Sequence, residues 1–202
     1  MPQILKDETR NAIVQAALTV FAQKGFRDTS MQDVSRLAGL SAGNIYRYFP
    51  DKRALYAAAL PPALMEELQA TLDRKIASWE GMPLSTDPKA NAGEIGFRLE
   101  LIDLLVHNRL QWIVLLRDGK PDALTERLSS FFERWLGSVR TATVLDEKRR
   151  TTVRLLYRNL ITLISSVLGE NQDPSALREA LDNCIDYHMA GLAAVMEKWR
   201  KE

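Results

Sequence analysis

The sequence predicts an all-α protein, with a small amino-terminal three-helix unit followed by a larger carboxy-terminal helical bundle. Three observations carry this. Apolar residues recur at spacings of three and four along most of the chain, which is the period of one helix face. No stretch sustains the period-two alternation of β-branched residues that a half-buried strand needs. Glycine, proline and capping residues fall largely at the ends of the periodic runs, where helices start and stop.

Ile13, Ala16, Ala17, Val20 and Phe21 trace a first amphipathic helix that Lys24-Gly25 ends. Ser30 with Asp33 three residues later resembles a capping box. The helix it opens runs from Met31 to Ala38, buries Val34 and Leu37, and stops at Gly39. Ser41 can cap a third helix beginning at Ala42, which Pro50 stops. Asp51 caps a long run through Leu55, Leu60, Leu64, Leu68 and Leu72 toward Trp79, with a kink or break at Pro61-Pro62. Gly81 to Gly93 reads as a loop. Glu94 to Leu116 reads as one apolar helix, with Phe97, Leu101, Leu105, Trp112 and Leu116 on one stripe. Asp122 to Val144 repeats Leu124, Leu128, Phe131, Trp135 and Val139. Glu147 to Leu168 and Ser175 to Arg200 complete the bundle, the latter opened by Asp173-Pro174.

Composition limits the function classes. A chain of 202 residues with net charge +1 and 46% hydrophobic residues is neither a polybasic tail nor a solvating acidic chain. The single cysteine, Cys184, excludes an intrachain disulfide and fits a reducing, cytoplasmic setting. The first ten residues lack the apolar core of a signal peptide, and no apolar run is long enough for a membrane span. His107 and His188 are the only histidines. No zinc-ligand spacing, phosphate-binding glycine loop or nucleophile motif occurs, so no metal, cofactor or catalytic residue is expected and the chain does not read as an enzyme. Residues 1–60 hold a small basic excess and the remainder a small acidic one. That split suits nucleic acid at the amino-terminal end, and equally suits ordinary scatter.

Two short helices joined by Ala38-Gly39-Leu40-Ser41 fit a helix–turn–helix. Ile45 and Phe49 would pack the second helix on Val34 and Leu37, leaving Ala42, Gly43, Asn44, Tyr46, Arg47 and Tyr48 for the major groove. Three stretches then carry a resemblance. They run from Ile13 to Phe26, from Thr29 to Ser41, and from Asn44 through Ile45-Tyr46-Arg47-Tyr48-Phe49-Pro50-Asp51-Lys52 to Tyr56. Together they resemble the DNA-binding domain of TetR-type regulators over about the first 60 residues.

The resemblance implies a helix–turn–helix domain at residues 1–50 and an effector-binding and dimerisation domain at residues 51–202. It implies a homodimeric repressor that leaves a near-palindromic, double-stranded operator when a small, largely apolar effector binds. An activator or an effector-independent regulator is compatible with the same residues. So is a helical carrier or enzyme whose three-helix unit is incidental. By carry-over, Gln32 reaches a base or phosphate, and Ser41, Ala42, Gly43 and Asn44 open the recognition helix. Tyr46 and Tyr48 touch phosphate or thymine methyls, and Tyr46 could instead pack partly on the core. Arg47 reads guanine or meets phosphate, and Lys52 meets a phosphate.

For the effector the expected lining is Leu101, Leu105, His107, Trp112, Phe131 and Trp135, an apolar and aromatic set. Glu100, Asp103, His107 and Gln111 share a stripe that faces either the cavity or solvent. The last two helices form the expected dimer interface, through Leu156, Leu160 and Ile164 on one and Leu181, His188 and Leu192 on the other. Arg150, Arg154 and Arg158 would meet Glu179, Asp182 and Asp186, within a chain or across the dyad.

Overall fold

The computed structural model describes residues 3–79, 92–118, 130–131, 134 and 146–201. All regular structure among them is helical. The helices are α1 (Gln3–Asp28), α2 (Met31–Ala38), α3 (Ala42–Tyr46), α4 (Lys52–Ala59), α5 (Pro62–Trp79), α6 (Ala92–His107), α7 (Arg109–Asp118), α8 (Glu147–Glu170) and α9 (Pro174–Lys201). None is long and apolar enough to cross a membrane. The loop expected at Gly81 to Gly93 lies mostly outside the described residues, as does nearly all of the helix expected at Asp122 to Val144, Trp135 included.

The chain divides into two compact units, Met1–Met65 with Asn108–Gly119, and Glu66–His107 with Lys120–Glu202. The division expected at residue 50 follows a sequence motif, whereas these units follow packing. In the first unit α1 is the hub. Its Ile13, Ala17, Leu18 and Phe21 are buried with Val34 of α2, Ile45 of α3, Leu55 of α4 and Val114 of α7. The Phe21, Phe26 and Tyr56 rings meet pairwise with centroids 4.8 to 5.9 Å apart, a spacing that favours tilted and edge-on aromatic contacts. Gly25 does interrupt α1. Its φ of 84° and ψ of 162° are non-helical, and a further short stretch follows to Asp28.

One expectation about helix continuity holds and one changes. Pro61-Pro62 gives a full break, so the long run from Asp51 is α4 and then α5. The expected helix from Glu94 to Leu116 is also two, parted at Asn108. The Asn108 carbonyl accepts the first hydrogen bond of α7 from Trp112 N–H (3.0 Å). Asparagine favours such a helix start, because its side chain competes for backbone groups in a helix interior. The break has a large consequence, since α6 belongs to the second unit and α7 to the first.

In the second unit, Leu68 and Leu72 of α5, Ile102, Leu104 and Leu105 of α6, Val153 and Leu168 of α8, and Leu177, Leu181 and Leu192 of α9 are buried. Helices α8 and α9 run antiparallel, since Tyr157 stacks on His188 while Arg149 lies over Trp199. Helix α6 is antiparallel to α9, since Arg98 pairs with Asp182 and Asp186 and Asp103 pairs with Arg178.

Candidate nucleic-acid interface

The helix–turn–helix is built from local closures. Ser30 Oγ accepts from Asp33 N–H (3.1 Å), and the Asp33 carboxylate accepts from Ser30 N–H (3.0 Å). This reciprocal pair is the capping box read from the sequence. Lys24 Nζ donates to the same carboxylate at 2.8 Å. That bond, with the two from Ser30, holds the Asp33 carboxyl far below its ordinary pKa. Gly39 ends α2 at φ 66°, the left-handed conformation that an L-residue adopts only with strain. Ser35 fastens the turn, with its carbonyl accepting from Leu40 N–H (3.1 Å) and its hydroxyl donating to Leu40 O (2.6 Å).

Helix α3 is short and is held by packing rather than by its own length. Ser41 Oγ accepts from Asn44 N–H (3.3 Å) at its start. Ile45 and Phe49 point inward and are buried, and the Arg10 guanidinium lies 5.2 Å from the Phe49 ring centroid. With those two residues inside, Ser41, Gly43, Asn44, Tyr46 and Arg47 are left exposed, as is Gln32 on α2. Ala42 and Tyr48 are half-buried. The tyrosine that packs on the core is Tyr48, while Tyr46 is 50% exposed. Leu37, expected in the core, is exposed instead. It stands three residues after Val34, which already fills the inward face of this two-turn helix.

Lys52 has a different occupation from the one expected. Its Nζ donates to the carbonyls of Phe26 (2.6 Å), Arg27 (3.1 Å) and Thr29 (2.7 Å). An ammonium has three donors, so all three are spent on the end of α1 and none is left for a phosphate. The same ammonium lies 4.6 Å from the Phe26 ring centroid, a favourable cation–π position. Arg117 of α7 adds a second clamp one turn earlier, donating to the carbonyls of Ala22 (3.1 Å) and Gln23 (3.0 Å). Sequence reasoning missed Arg117, because its partners lie more than ninety residues away. The exposed cations around α2 and α3 include Arg36, Arg47 and Arg53. Among them Arg47 stands on the α3 face, where a guanidinium can make two parallel hydrogen bonds to a guanine edge or a phosphate.

In the second unit the expected effector lining is scattered. Leu101 is half-buried, Leu105 and Phe131 are buried, and His107 is exposed. The His107 Nδ1–H donates to the Asp103 carbonyl one turn back (2.8 Å), a bond that a ring standing on the helix surface makes. Trp112 is buried, but it belongs to α7 and hence to the first unit. The stripe that could have faced a cavity faces outward in part. Glu100 pairs with Arg74 at 3.0 Å, Asp103 pairs with Arg178, and both carboxylates are half exposed. Lys75, which the sequence did not flag, is buried with its ammonium 4.8 Å from the Phe97 ring centroid.

The expected dimer residues divide by face. Leu181, His188 and Leu192 are buried within the subunit, where α9 packs on its neighbours, so they are not available to a second copy. Leu156, Leu160 and Ile164 are half-buried. The large apolar side chains that α8 and α9 do expose are Leu155 and Tyr187, neither singled out from the sequence. Arg98 of α6 takes Asp182 and Asp186, which the sequence reading had assigned to the Arg150–Arg158 row.

Residues 13–59 match the family model for bacterial regulatory proteins, tetR family. The HTH-type transcriptional regulator RutR of Escherichia coli (strain K12) is 47% identical over 51 residues, 25% of this chain and 24% of RutR. The HTH-type transcriptional regulator YfiR of Bacillus subtilis (strain 168) is 38% identical over 132 residues, 64% of this chain and 63% of YfiR. The chain thus matches about a quarter of the length of RutR and under two thirds of YfiR. Among solved structures, a TetR-like transcriptional regulator from Rhodococcus sp. RHA1 superposes with a TM-score of 0.53 at 20% identity, over 96% of this chain and 98% of that one. The probable transcriptional regulatory protein RHA5900 gives a TM-score of 0.57 at 19% identity, over 84% and 93%. These likenesses establish a shared all-helical fold.

Proposed function

We infer that this chain, whose residues 13–59 match the family model for bacterial regulatory proteins, tetR family, is a DNA-binding transcriptional regulator. It acts as a homodimeric repressor that a small, largely apolar effector releases from a near-palindromic operator. The observation that carries this reading is the outer face of α3. Asn44 and Tyr46 on α3 and Arg47 at its C-cap are all exposed, while Ile45 on the inward side and Phe49 just beyond the helix are buried. An amide, a phenol and a guanidinium on one short rigid platform are the groups that read base edges and phosphates. A helical carrier or enzyme has no use for such a face.

One α3 spans too few base pairs for useful discrimination, so two copies must act together. Dimeric helix–turn–helix proteins engage half-sites about 34–36 Å apart or a multiple of that. Leu155 and Tyr187, exposed on α8 and α9, supply apolar surface for the contact between copies. The test is selection of duplexes from a randomised pool, followed by footprinting. A two-fold symmetric consensus is expected, and Arg47→Ala should relax the same base position in both half-sites. Failure to enrich any duplex, or equal affinity for one half-site and the full site, would overturn the reading.

A further inference from the structure

His188 holds a polar atom where packing asks for an apolar one. It sits on the inward face of α9 between the buried Leu181 and Leu192, and is itself only 7% exposed. Its ring lies 4.6 Å from that of Tyr157 on α8, centroid to centroid, at 56°. The Nε2 atom is fully buried and has no hydrogen-bond partner among the described residues. Buried polar side-chain atoms almost always have a partner, and one without it needs a reason. A leucine or phenylalanine would fill the same space without leaving a nitrogen unsatisfied.

The antiparallel register of α6 on α9, set by Arg98 with Asp182 and Asp186 and by Asp103 with Arg178, brings His188 level with the first turn of α6. The nitrogen therefore lies within the second unit, where α8 and α9 meet near the start of α6. Burial also pushes the imidazole pKa down, from 6.5 to about 4, so the ring is neutral near pH 7 and offers no counter-charge to an ion.

We propose that His188 Nε2 is the polar anchor of the effector site, and that the site takes a small, uncharged aromatic compound bearing one hydroxyl group. A neutral imidazole nitrogen either donates or accepts according to its tautomer, and a hydroxyl alone can answer both. The Tyr157 ring and the leucines on α9 give the rest of the ligand apolar walls, which suits a flat hydrocarbon body. A charged ligand would be buried without a partner, because the nearby Arg98 is already matched by two carboxylates. This assignment rests on the reading of the chain as an effector-responsive regulator, so binding and release are tested apart.

The experiment uses phenol and its near-isostere toluene on the full-length protein, with ¹⁵N-labelled histidine observed by NMR and without DNA. Phenol should move the His188 Nε2 resonance, identified by its loss in His188→Phe, and should bind about tenfold or more tightly than toluene. In His188→Phe the preference should fall away, and in His188→Gln, which keeps a hydrogen-bonding group, part of it should return. The glutamine variant also stands in if the phenylalanine variant fails to fold. Equal binding of the two compounds, binding of neither, or phenol binding that leaves the Nε2 resonance in place would each overturn the site. A resonance that reports only a trapped water, unmoved by phenol, would do the same. Operator affinity is then measured with and without phenol. Phenol bound at His188 with no change in operator affinity supports the site and overturns the regulatory reading on which it rests.

Discussion

The two compact units differ in the polar closures that join their helices. Around α2, α3 and α4 the partners are three to five residues apart, as in Ser30 with Asp33, Ser35 with Leu40, Ser41 with Asn44, and Asp51 with Ala54. In the second unit they join helices distant in sequence, as in Arg98 with Asp182 and Asp186, Arg178 with Asp103, and Arg74 with Glu100. The first unit, which the proposed function sets against a rigid duplex, is specified residue by residue. The bundle is specified by faces that admit many pairings.

The largest expected effect breaks the first unit at its hub. Phe21 is fully buried, with the Phe26 and Tyr56 rings against it. Phe21→Ala should cost about 3–5 kcal/mol and abolish operator binding, because α1 carries the other helices of the unit. Urea denaturation followed by circular dichroism measures the loss. A cost under about 1 kcal/mol would mean that the unit does not depend on α1 as described.

The same contrast explains what the sequence revealed and what it hid. Met31 to Ala38 is the observed α2 to the residue, because Ser30, Asp33 and Gly39 write both ends locally. The Asn44–Tyr46–Arg47 face was legible because Ile45 and Phe49 fix which side is inward. Leu37 was misplaced because a two-turn helix has too few residues for periodicity to separate core from edge. Lys52 was misassigned because its partners are backbone carbonyls about 25 residues away, and no sequence pattern marks a carbonyl as a ligand. The Asn108 break was hidden because the apolar stripe continues through it, from Leu105 to Trp112, while the chain passes from one unit to the other. Leu181, His188 and Leu192 show the same limit. Their periodicity marks a buried face, and periodicity does not tell burial within a subunit from burial between two.

Lys52 sharpens the contrast, since with Arg117 it is a long-range exception in the first unit. Lys52→Met removes three charge-assisted hydrogen bonds and should cost about 2–3 kcal/mol. It should leave the salt dependence of DNA binding unchanged, because the ammonium is not a phosphate contact. Arg47→Ala should instead leave stability intact, and should lower the salt slope by about one unit if Arg47 meets phosphate. A shallower slope for Lys52→Met, measured by fluorescence anisotropy at several salt concentrations, would return Lys52 to the DNA.

Acid separates the units further. The folded state depresses the His188 pKa to about 4 from an ordinary 6.5. The unfolded chain therefore binds the proton first, and stability falls as the pH drops from about 6.5 to about 4. Between pH 7 and pH 5 the loss should be about 2 kcal/mol. In the first unit Asp33 has its pKa lowered, so its stabilising contribution is lost only in stronger acid. Urea titrations at the two pH values should show the loss in the native protein and its absence in His188→Phe. An equal loss in both would assign it to other groups.

The smallest effect is also the sharpest, because one substitution should have opposite signs in the two regions. Gly39 ends α2 at φ 66°, and a Cβ built there would meet no atom within 4 Å. Steric crowding by neighbours is therefore absent, and Gly39→Ala is charged only for the left-handed backbone, about 1–2 kcal/mol. Gly39→Asn should recover much of this, since asparagine visits that conformation more readily. Gly96 lies within α6, is exposed, and likewise has open space around a built Cβ. Its backbone is helical, so Gly96→Ala should stabilise by roughly 0.5–1 kcal/mol, through the lower entropy of the unfolded chain. Thermal denaturation of both variants beside the native protein reads the two signs directly. If Gly39→Ala proved as stable as the native protein, the turn between α2 and α3 would not be held at positive φ. The angle at which α3 is presented would then need another origin.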